Sequence, residues 1–417
     1  MAMHRRKVLK GLGAAAAGLA VVKAPYVHAQ TGPIRVGFLT VKTGPLASGG
    51  LQMEQGLLTF LKDRKNMLGN RPVELTTADT TGNPAVCRTK MQELVERFNV
   101  SCVLGPLAAF EALAIDDYIR SSRTPTLSVA GAEDLTQRKP NPYFSRPGST
   151  SAQCAHVMAD YAIKDLKYKR VATIADDFAY GHENVGGFQR VFEDGGGKVV
   201  QKLWTPLNAP DYGTYISQLK PDLDALFTAH AGSNGLKLIR QLSAYGLKGK
   251  LKVIGAYTPI DESLIQQMGD DALGAYTSNF YSAELENAEN KKFVELMRRD
   301  YKIDPGVYAA CTYLFGEVIE AAAKAVGGKV EDKDEFQKAI RAVKLQNSLR
   351  GPMHFDDLGN VVGNFYIRRV EKKGDKYVNA VVKTYPNVSQ FWTYKPEEYL
   401  KNPPYTRDYP PAKNLES

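Results

Sequence analysis

Ser233 is the one residue of this 417-residue chain that could be read as a placed nucleophile. It sits in Ala231-Gly232-Ser233-Asn234-Gly235, between a predicted strand and a predicted helix, which is the setting of a nucleophile elbow in A-x-S-x-G form. Hydrolysis would also need an acid and then a histidine downstream, and the only later histidine, His354, falls in a turn-rich stretch. Ser233 is therefore read as an N-cap or a ligand contact, with a secreted serine hydrolase as an alternative. The six histidines show neither H-E-x-x-H nor i, i+4 pairing, so no metal site is expected. The four cysteines, Cys87, Cys102, Cys154 and Cys311, have no C-x-x-C spacing and read as buried free thiols. Gly195-Gly196-Gly197-Lys198 lacks a following Ser or Thr and leads into a strand, so it is not a phosphate loop. Asp176-Asp177 and Asp356-Asp357 read as turn or cap residues. No catalytic residue and no cofactor is expected.

Binding chemistry is better supplied, and it depends on the elements that carry it. Apolar runs at Ile34–Leu39, Val73–Thr77, Cys102–Leu104, Thr126–Val129, Val171–Ala175, Val199–Trp204, Ala225–Ala229 and Val253–Gly255 alternate with helix-period segments. These are Leu51–Lys65, Ala85–Phe98, Phe110–Ser121, Ala152–Leu166, Asn184–Asp194, Tyr212–Leu219 and Leu236–Tyr245. Such alternation means βαβ units, parallel sheets and an α/β fold with helices on both faces. The Pro- and Gly-rich stretch Lys139–Gly148 breaks the series after four strands, so two successive sheets are expected. Beyond Gly274 come helices near Glu289–Arg299, Val307–Val326 and Asp334–Val343, then a hairpin of Phe365–Glu371 and Tyr377–Lys383. The Pro-, Tyr- and Asn-rich tail, 384–417, reads as an extended strap.

Open α/β sheets bind ligands outside the carboxyl ends of their strands. The segments there are rich in small residues: Thr43–Gly50, Gly105–Phe110, Ala130–Ala132, Asp176–Gly181, His230–Gly235 and Ala256–Pro259. Several open helices, whose free N–H groups favour an anion. With Phe110, Tyr180 and Tyr257 as walls, a cleft between two lobes suits a flat anionic molecule.

The opening residues carry a different signal. Arg5, Arg6, Lys7, Lys10 and Lys23 stand in a segment without acids; removing these five from 54 Lys and Arg against 45 Asp and Glu lowers the net charge from +9 to +4. No acidic partner or nucleic acid is implied. A basic head, the apolar run Gly11–Val22 and Val27-His28-Ala29 before Gln30 describe a cleaved export signal over 1–29. That apolar run is shorter than the roughly 18 residues that span a bilayer. Arg5-Arg6-Lys7-Val8-Leu9-Lys10 resembles the twin-arginine pattern, with Val8 where that pattern prefers Phe.

Ile34-Arg35-Val36-Gly37-Phe38-Leu39, Thr43-Gly44-Pro45, Asp79 with Asn83-Pro84, and Gly105-Pro106 stand in a telling order, as do Tyr180-Gly181, Asp211-Tyr212 and Gly351-Pro352. Over Ile34 to about Lys383 the chain resembles the leucine/isoleucine/valine-binding-protein family, the periplasmic solute receptors of ABC importers. The resemblance implies a type I periplasmic binding protein: two doubly wound lobes joined by three crossovers, closing on a ligand. It implies an N-lobe of 32–147 and 278–345 and a C-lobe of 148–277 and 346–383. It further implies a monomer in the periplasm, partnered by a membrane permease and its ATPase. A ligand-sensing receptor subunit of the same fold is an alternative.

The departures from amino-acid-binding members are informative. The acidic residue that holds a ligand ammonium in those members matches Tyr257, and the two residues whose hydroxyls grip the ligand carboxylate match Ala109 and Gly131. An aromatic wall position matches Gly49, another is kept as Tyr308, and the cysteines of a disulfide in some members match Gly82 and Ala108. The expected ligand is accordingly a small carboxylate of aromatic type, with branched-chain or other amino acids and amides as the alternative. The expected contacts are Ala108, Ala109, Phe110, Ala130, Gly131, Tyr180, His230, Tyr257 and Tyr308, with Tyr257 or His230 bonding a ring hydroxyl.

Overall fold

A computed structural model describes residues 32–416. The expected export signal at 1–29 lies outside the described residues. The first lobe is built on a sheet of β1 (Ile34–Thr40), β2 (Met67–Leu68), β3 (Arg71–Asp79), β4 (Cys102–Leu104), β5 (Thr126–Leu127) and β6 (Phe144–Ser145), in the order β2-β3-β1-β4-β5-β6. All its pairings are parallel except β2 with β3. The second sheet holds β7 (Arg170–Asp176), β8 (Lys198–Thr205), β9 (Ala225–Ala229), β10 (Lys252–Gly255) and β11 (Tyr276–Asn279). It continues through β12 (Lys344–Leu345), β13 (Met353–Phe355), β14 (Val361–Lys373) and β15 (Lys376–Val388). Its order is β12-β13-β14-β11-β10-β9-β7-β8, with β15 on β14. Strands β8-β7-β9-β10-β11 repeat the winding of β3-β1-β4-β5-β6, so each lobe reverses direction once, beside β1 and beside β7.

The strands that read as apolar runs are covered on both faces, as parallel sheets require. β9 is buried throughout, and β7 at all but Arg170. Helices α1 (Ala47–Asp63), α2 (Pro84–Gln92) and α3 (Ala109–Ser122) flank the first sheet. Helix α2 starts where Asn83 accepts from the Ala85 and Val86 N–H groups and Pro84 takes the first position; a π-turn, Glu93–Arg97, completes the expected helix. Helices α4 (Ser151–Lys164), α5 (Ala179–Asp194), α6 (Gly213–Ile216), α7 (Asn234–Ala244) and α8 (Glu262–Met268) belong with the second sheet. Helices α9 (Ala288–Tyr301) and α10 (Val307–Ala325) return to pack on α1, and α11 (Lys333–Arg341) packs on α10.

Several elements differ from expectation. β11 was not foreseen because Tyr-Thr-Ser-Asn carries no apolar run. Its polar side chains are satisfied by neighbours instead: Ser278 Oγ donates to Cys154 O and Asn279 Nδ2 to Tyr257 O at 3.1 Å. Helix α8 is too short for a periodic signal. β12 belongs to the second sheet, although 344–345 was expected with the first lobe. The tail is also less extended than expected, because β15 runs on to Val388 and a short helix, α12 (Pro396–Leu400), follows. Beyond it Lys202 Nζ of β8 donates to Pro410 O at 2.9 Å, Gln189 Nε2 of α5 donates to Pro411 O at 3.2 Å, and Arg170 of β7 pairs with Glu416. All four cysteines are buried free thiols.

Candidate ligand-binding cleft

The carboxyl ends of β1, β4 and β5 face those of β7, β9 and β10 across a cleft. A small cavity of about 20 Å³ lies there, room for about one water with the walls placed as they are. Each wall residue comes from just past a strand or from a helix start: Leu46 after β1, Ala108 and Ala109 after β4, Gly131 after β5, Tyr180 after β7, Tyr257 after β10 and Tyr308 in α10. A larger space of about 250 Å³, lined by Tyr168, Lys252 and Tyr276, sits at the opposite, amino ends of β7, β10 and β11. No helix N-termini converge there, so the smaller cavity is the candidate site.

The lobes touch around this cavity. Ser233 N donates to Pro45 O at 3.3 Å, and the Phe110 and Phe178 rings meet edge to face at 5.4 Å. The Glu133 N–H donates to Glu183 Oε1 at 3.1 Å. The described conformation is therefore closed.

Six of the expected contacts line the cavity: Ala108, Ala109, Gly131, Tyr180, Tyr257 and Tyr308. Three do not. Phe110 packs on Phe178 at the rim. Ala130 is buried behind the wall, its carbonyl accepting from Arg146 Nε at 2.7 Å. His230 is also turned away, with Nε2 3.0 Å from Thr205 Oγ1 and Nδ1 2.7 Å from Thr228 Oγ1. Burial pushes its imidazole down to about 3, so it is neutral and committed to the protein. The expectation that His230 meets a ring hydroxyl is withdrawn. Leu46, Leu107, Val129, Phe178 and Ala231 also line the site and were not singled out. Position just past a strand end was their only signal: all five are apolar, and Val129, expected inside a strand, stands two residues past the end of β5.

The polar inventory is small. Tyr180 donates to Thr258 Oγ1, which itself donates to His230 O at 2.7 Å, so the Tyr180 hydroxyl is engaged. The Tyr257 and Tyr308 hydroxyls have no hydrogen-bond partner among the described residues. Burial raises all three phenols above their ordinary value, so none carries charge. Tyr180 and Tyr257 meet edge to face at 5.5 Å. At the start of α3, Glu111 accepts from the Ala108 N–H at 2.9 Å, while the Ala109 and Phe110 N–H groups have no acceptor among the described residues.

Two glycines shape the walls. A Cβ at Gly131 would lie 2.3 Å from Ser151 Oγ and 3.2 Å from the Tyr257 hydroxyl, so no side chain fits there. A Cβ at Gly49 would lie 3.0 Å from the Tyr308 ring, which fills the space an aromatic at 49 would need. Asp176 ties the switch point together, accepting from Ala231 N at 2.8 Å and Asn234 Nδ2 at 2.9 Å; burial pushes its carboxyl up to about 7. Ser233 precedes α7 without a side-chain capping bond. Among the described residues, no cluster of His, Cys, Asp or Glu could hold a metal ion.

Two doubly wound lobes closed on a cleft at their strand ends define a solute receptor. Residues 33–375 match the periplasmic binding protein family model, and the chain belongs to that family. It is similar to the Leu/Ile/Val-binding protein homolog 6 of Brucella melitensis biotype 1, with 27% identity covering 88% of this chain and 95% of the relative. Among solved structures it resembles a solute-binding protein of an ABC transporter from Rhodopseudomonas palustris BisB5, in complex with 3,4-dihydroxybenzoic acid. That match has 30% identity and a TM-score of 0.82, covering 86% of this chain and 98% of the other. Another ABC-transporter solute-binding protein, from R. palustris and in complex with 4-hydroxybenzoate, matches with 25% identity and a TM-score of 0.80, covering 86% and 98%. The family is one of binding proteins, not of enzymes.

Proposed function

We propose that this protein captures an aromatic carboxylate in the periplasm and hands it to an ABC permease and its ATPase. The carrying observation is Tyr257, a neutral phenol without a partner in the cavity wall; by the family resemblance it matches the position where amino-acid receptors place a carboxylate. The cavity wall offers no anion, and an unpaired ammonium in a dry cleft costs several kcal/mol. The free N–H groups of Ala109 and Phe110 suit the ligand carboxylate. Leu46, Leu107 and the tyrosines suit the ring, and the Tyr257 and Tyr308 hydroxyls suit a ring hydroxyl. Both R. palustris proteins hold hydroxylated benzoates, which supports this choice over leucine. A role for Ser233 as nucleophile draws no help from His230, the histidine nearest it in the chain, whose ring nitrogens are both engaged.

Calorimetry on ligand-stripped protein tests the reading. 4-Hydroxybenzoate and benzoate are expected to bind and leucine to give no heat. Tyr257→Phe should weaken 4-hydroxybenzoate by about 0.5–1.5 kcal/mol, the net worth of a neutral hydrogen bond, and benzoate less. Tight leucine binding, or equal losses for both acids, would sink the assignment. For export, the double substitution Arg5→Lys, Arg6→Lys is expected to leave precursor in the cytoplasm. Normal export of that variant would point to the general secretory route.

A further inference from the structure

We propose that Asp261 is a positioning residue that latches the closed state, holding the N-terminus of α10, and with it Tyr308, against the ligand. The inference rests on the reading that the ligand is clamped between closing lobes, but not on which ligand it is. Asp261 precedes α8 on the lobe of the second sheet and is 2% exposed. Its Oδ1 accepts from Ser263 N at 3.1 Å and Ser263 Oγ at 2.7 Å, capping its own helix. Its Oδ2 reaches across the cleft and accepts from Val307 N at 2.8 Å. Gln52 of α1 joins from the same far side, donating to Asp261 Oδ1 at 3.2 Å and to Ser263 Oγ at 2.7 Å.

Helix α10 has no cap of its own, because its N-cap is Gly306. The other lobe supplies the missing acceptor, as a full negative charge at the positive end of a 19-residue helix. Tyr308, the second residue of that helix, lines the cavity, and so does Tyr257, four positions before the latch. One carboxylate thus registers two walls that come from opposite lobes.

Gly306 makes the same point through its lack of a side chain. Its φ of −90° and ψ of −175° are open to alanine. Yet a Cβ there would lie 2.0 Å from Asp261 Oδ1 and 2.4 Å from Gln52 Oε1. Gln52 Oε1 is the far end of a flexible side chain on the same lobe and can move aside, so the fixed obstacle is the carboxylate from across the cleft.

Two variants and their combination test the latch. Asp261→Ser keeps a short N-cap for α8 but cannot span to Val307. Gly306→Ala adds a wedge that the open protein tolerates. Dissociation rates are measured by stopped flow with 4-hydroxybenzoate and, separately, leucine as probes, and closure by small-angle scattering. Each single variant should release its probe about ten- to a hundredfold faster, with association within about threefold of wild type. The ligand-free melting temperature should stay at the wild-type value, which a merely structural role would not allow. The double variant should be no worse than Gly306→Ala, because both changes remove one contact. An unchanged release rate in Asp261→Ser, a ligand-free protein that loses stability, or additive losses would overturn the latch. If only leucine contracts the wild type, the aromatic-acid reading fails and the latch is decided with leucine. If neither probe contracts it, there is no closed state to hold and the latch falls.

Discussion

Replacing Arg146 with methionine is expected to remove about 3–5 kcal/mol of folding stability, the scale for stripping one member from a buried charged network. Arg146 follows β6, where the chain first crosses between lobes, and it is fully buried. Its guanidinium donates to Ala130 O at 2.7 Å, Thr136 Oγ1 at 2.6 Å, Asn360 Oδ1 at 2.9 Å and Ala132 O. Its backbone pairs with the turn between β13 and β14 of the second sheet, donating to Gly359 O at 2.8 Å and accepting from Val361 N at 3.0 Å. Burial lowers its pKa to about 10, which leaves it charged at neutral pH. Methionine fills similar volume but leaves those acceptors buried and unpaired. Arg350 staples the next carbonyls, donating to Pro147 O at 2.8 Å and Gly148 O at 2.6 Å. Urea denaturation of the ligand-free protein measures the loss as a lower midpoint at unchanged slope. A drop of less than about 1 kcal/mol would show that the crossing does not depend on this side chain.

Ligand capture is expected to take up a proton below neutral pH, and affinity to fall as pH rises from about 5 to about 7. Glu133 follows β5 in the first lobe and Glu183 lies on α5 in the second; both are buried where the lobes meet. Burial raises both carboxyls, Glu183 to about 7, and the charge of Glu183 raises Glu133 further. Arg138 and Arg146 face the pair and oppose the rise, Asp134 reinforces it, and Thr150, Ser151 and Tyr405 complete the surroundings. Opening exposes the pair to water, where a glutamate titrates near ~4.3. A pKa raised on closure stabilises the closed state fully below the open-state value, and that stabilisation is lost as pH rises through the closed-state value. Affinity should therefore fall by about tenfold per pH unit for each carboxyl that closure keeps protonated, and go on falling above about 7 until Glu133 has ionised as well. Calorimetry in two buffers of different ionisation enthalpy reads the proton directly. Glu183→Gln should make the profile shallower, leaving only Glu133 to titrate, and bind more tightly than wild type at pH values above about 7. A profile that keeps its slope in Glu183→Gln would place the linked proton elsewhere.

The residue pattern by itself determined the two β–α series, because parallel strands buried on both faces must be apolar from end to end. It placed the cleft, because strand ends and helix starts need small residues at known points along each unit. It also determined that no negative charge waits at 257 for a ligand amine. Tertiary structure decided what a local pattern cannot carry. β11 is a strand because β10 and β14 flank it, not because Tyr276-Thr277-Ser278-Asn279 favours one. His230 faces inward because two threonine hydroxyls from β8 and β9 satisfy its ring. Arg146 and Arg350 look like surface residues in the sequence. They are buried because crossing strands expose carbonyls that only a long multiple donor can reach. Gln52 and Asp261 stand 209 positions apart and meet across the cleft. Periodicity reports which face of one element is buried, but the partner across a cleft is set by how separate elements pack.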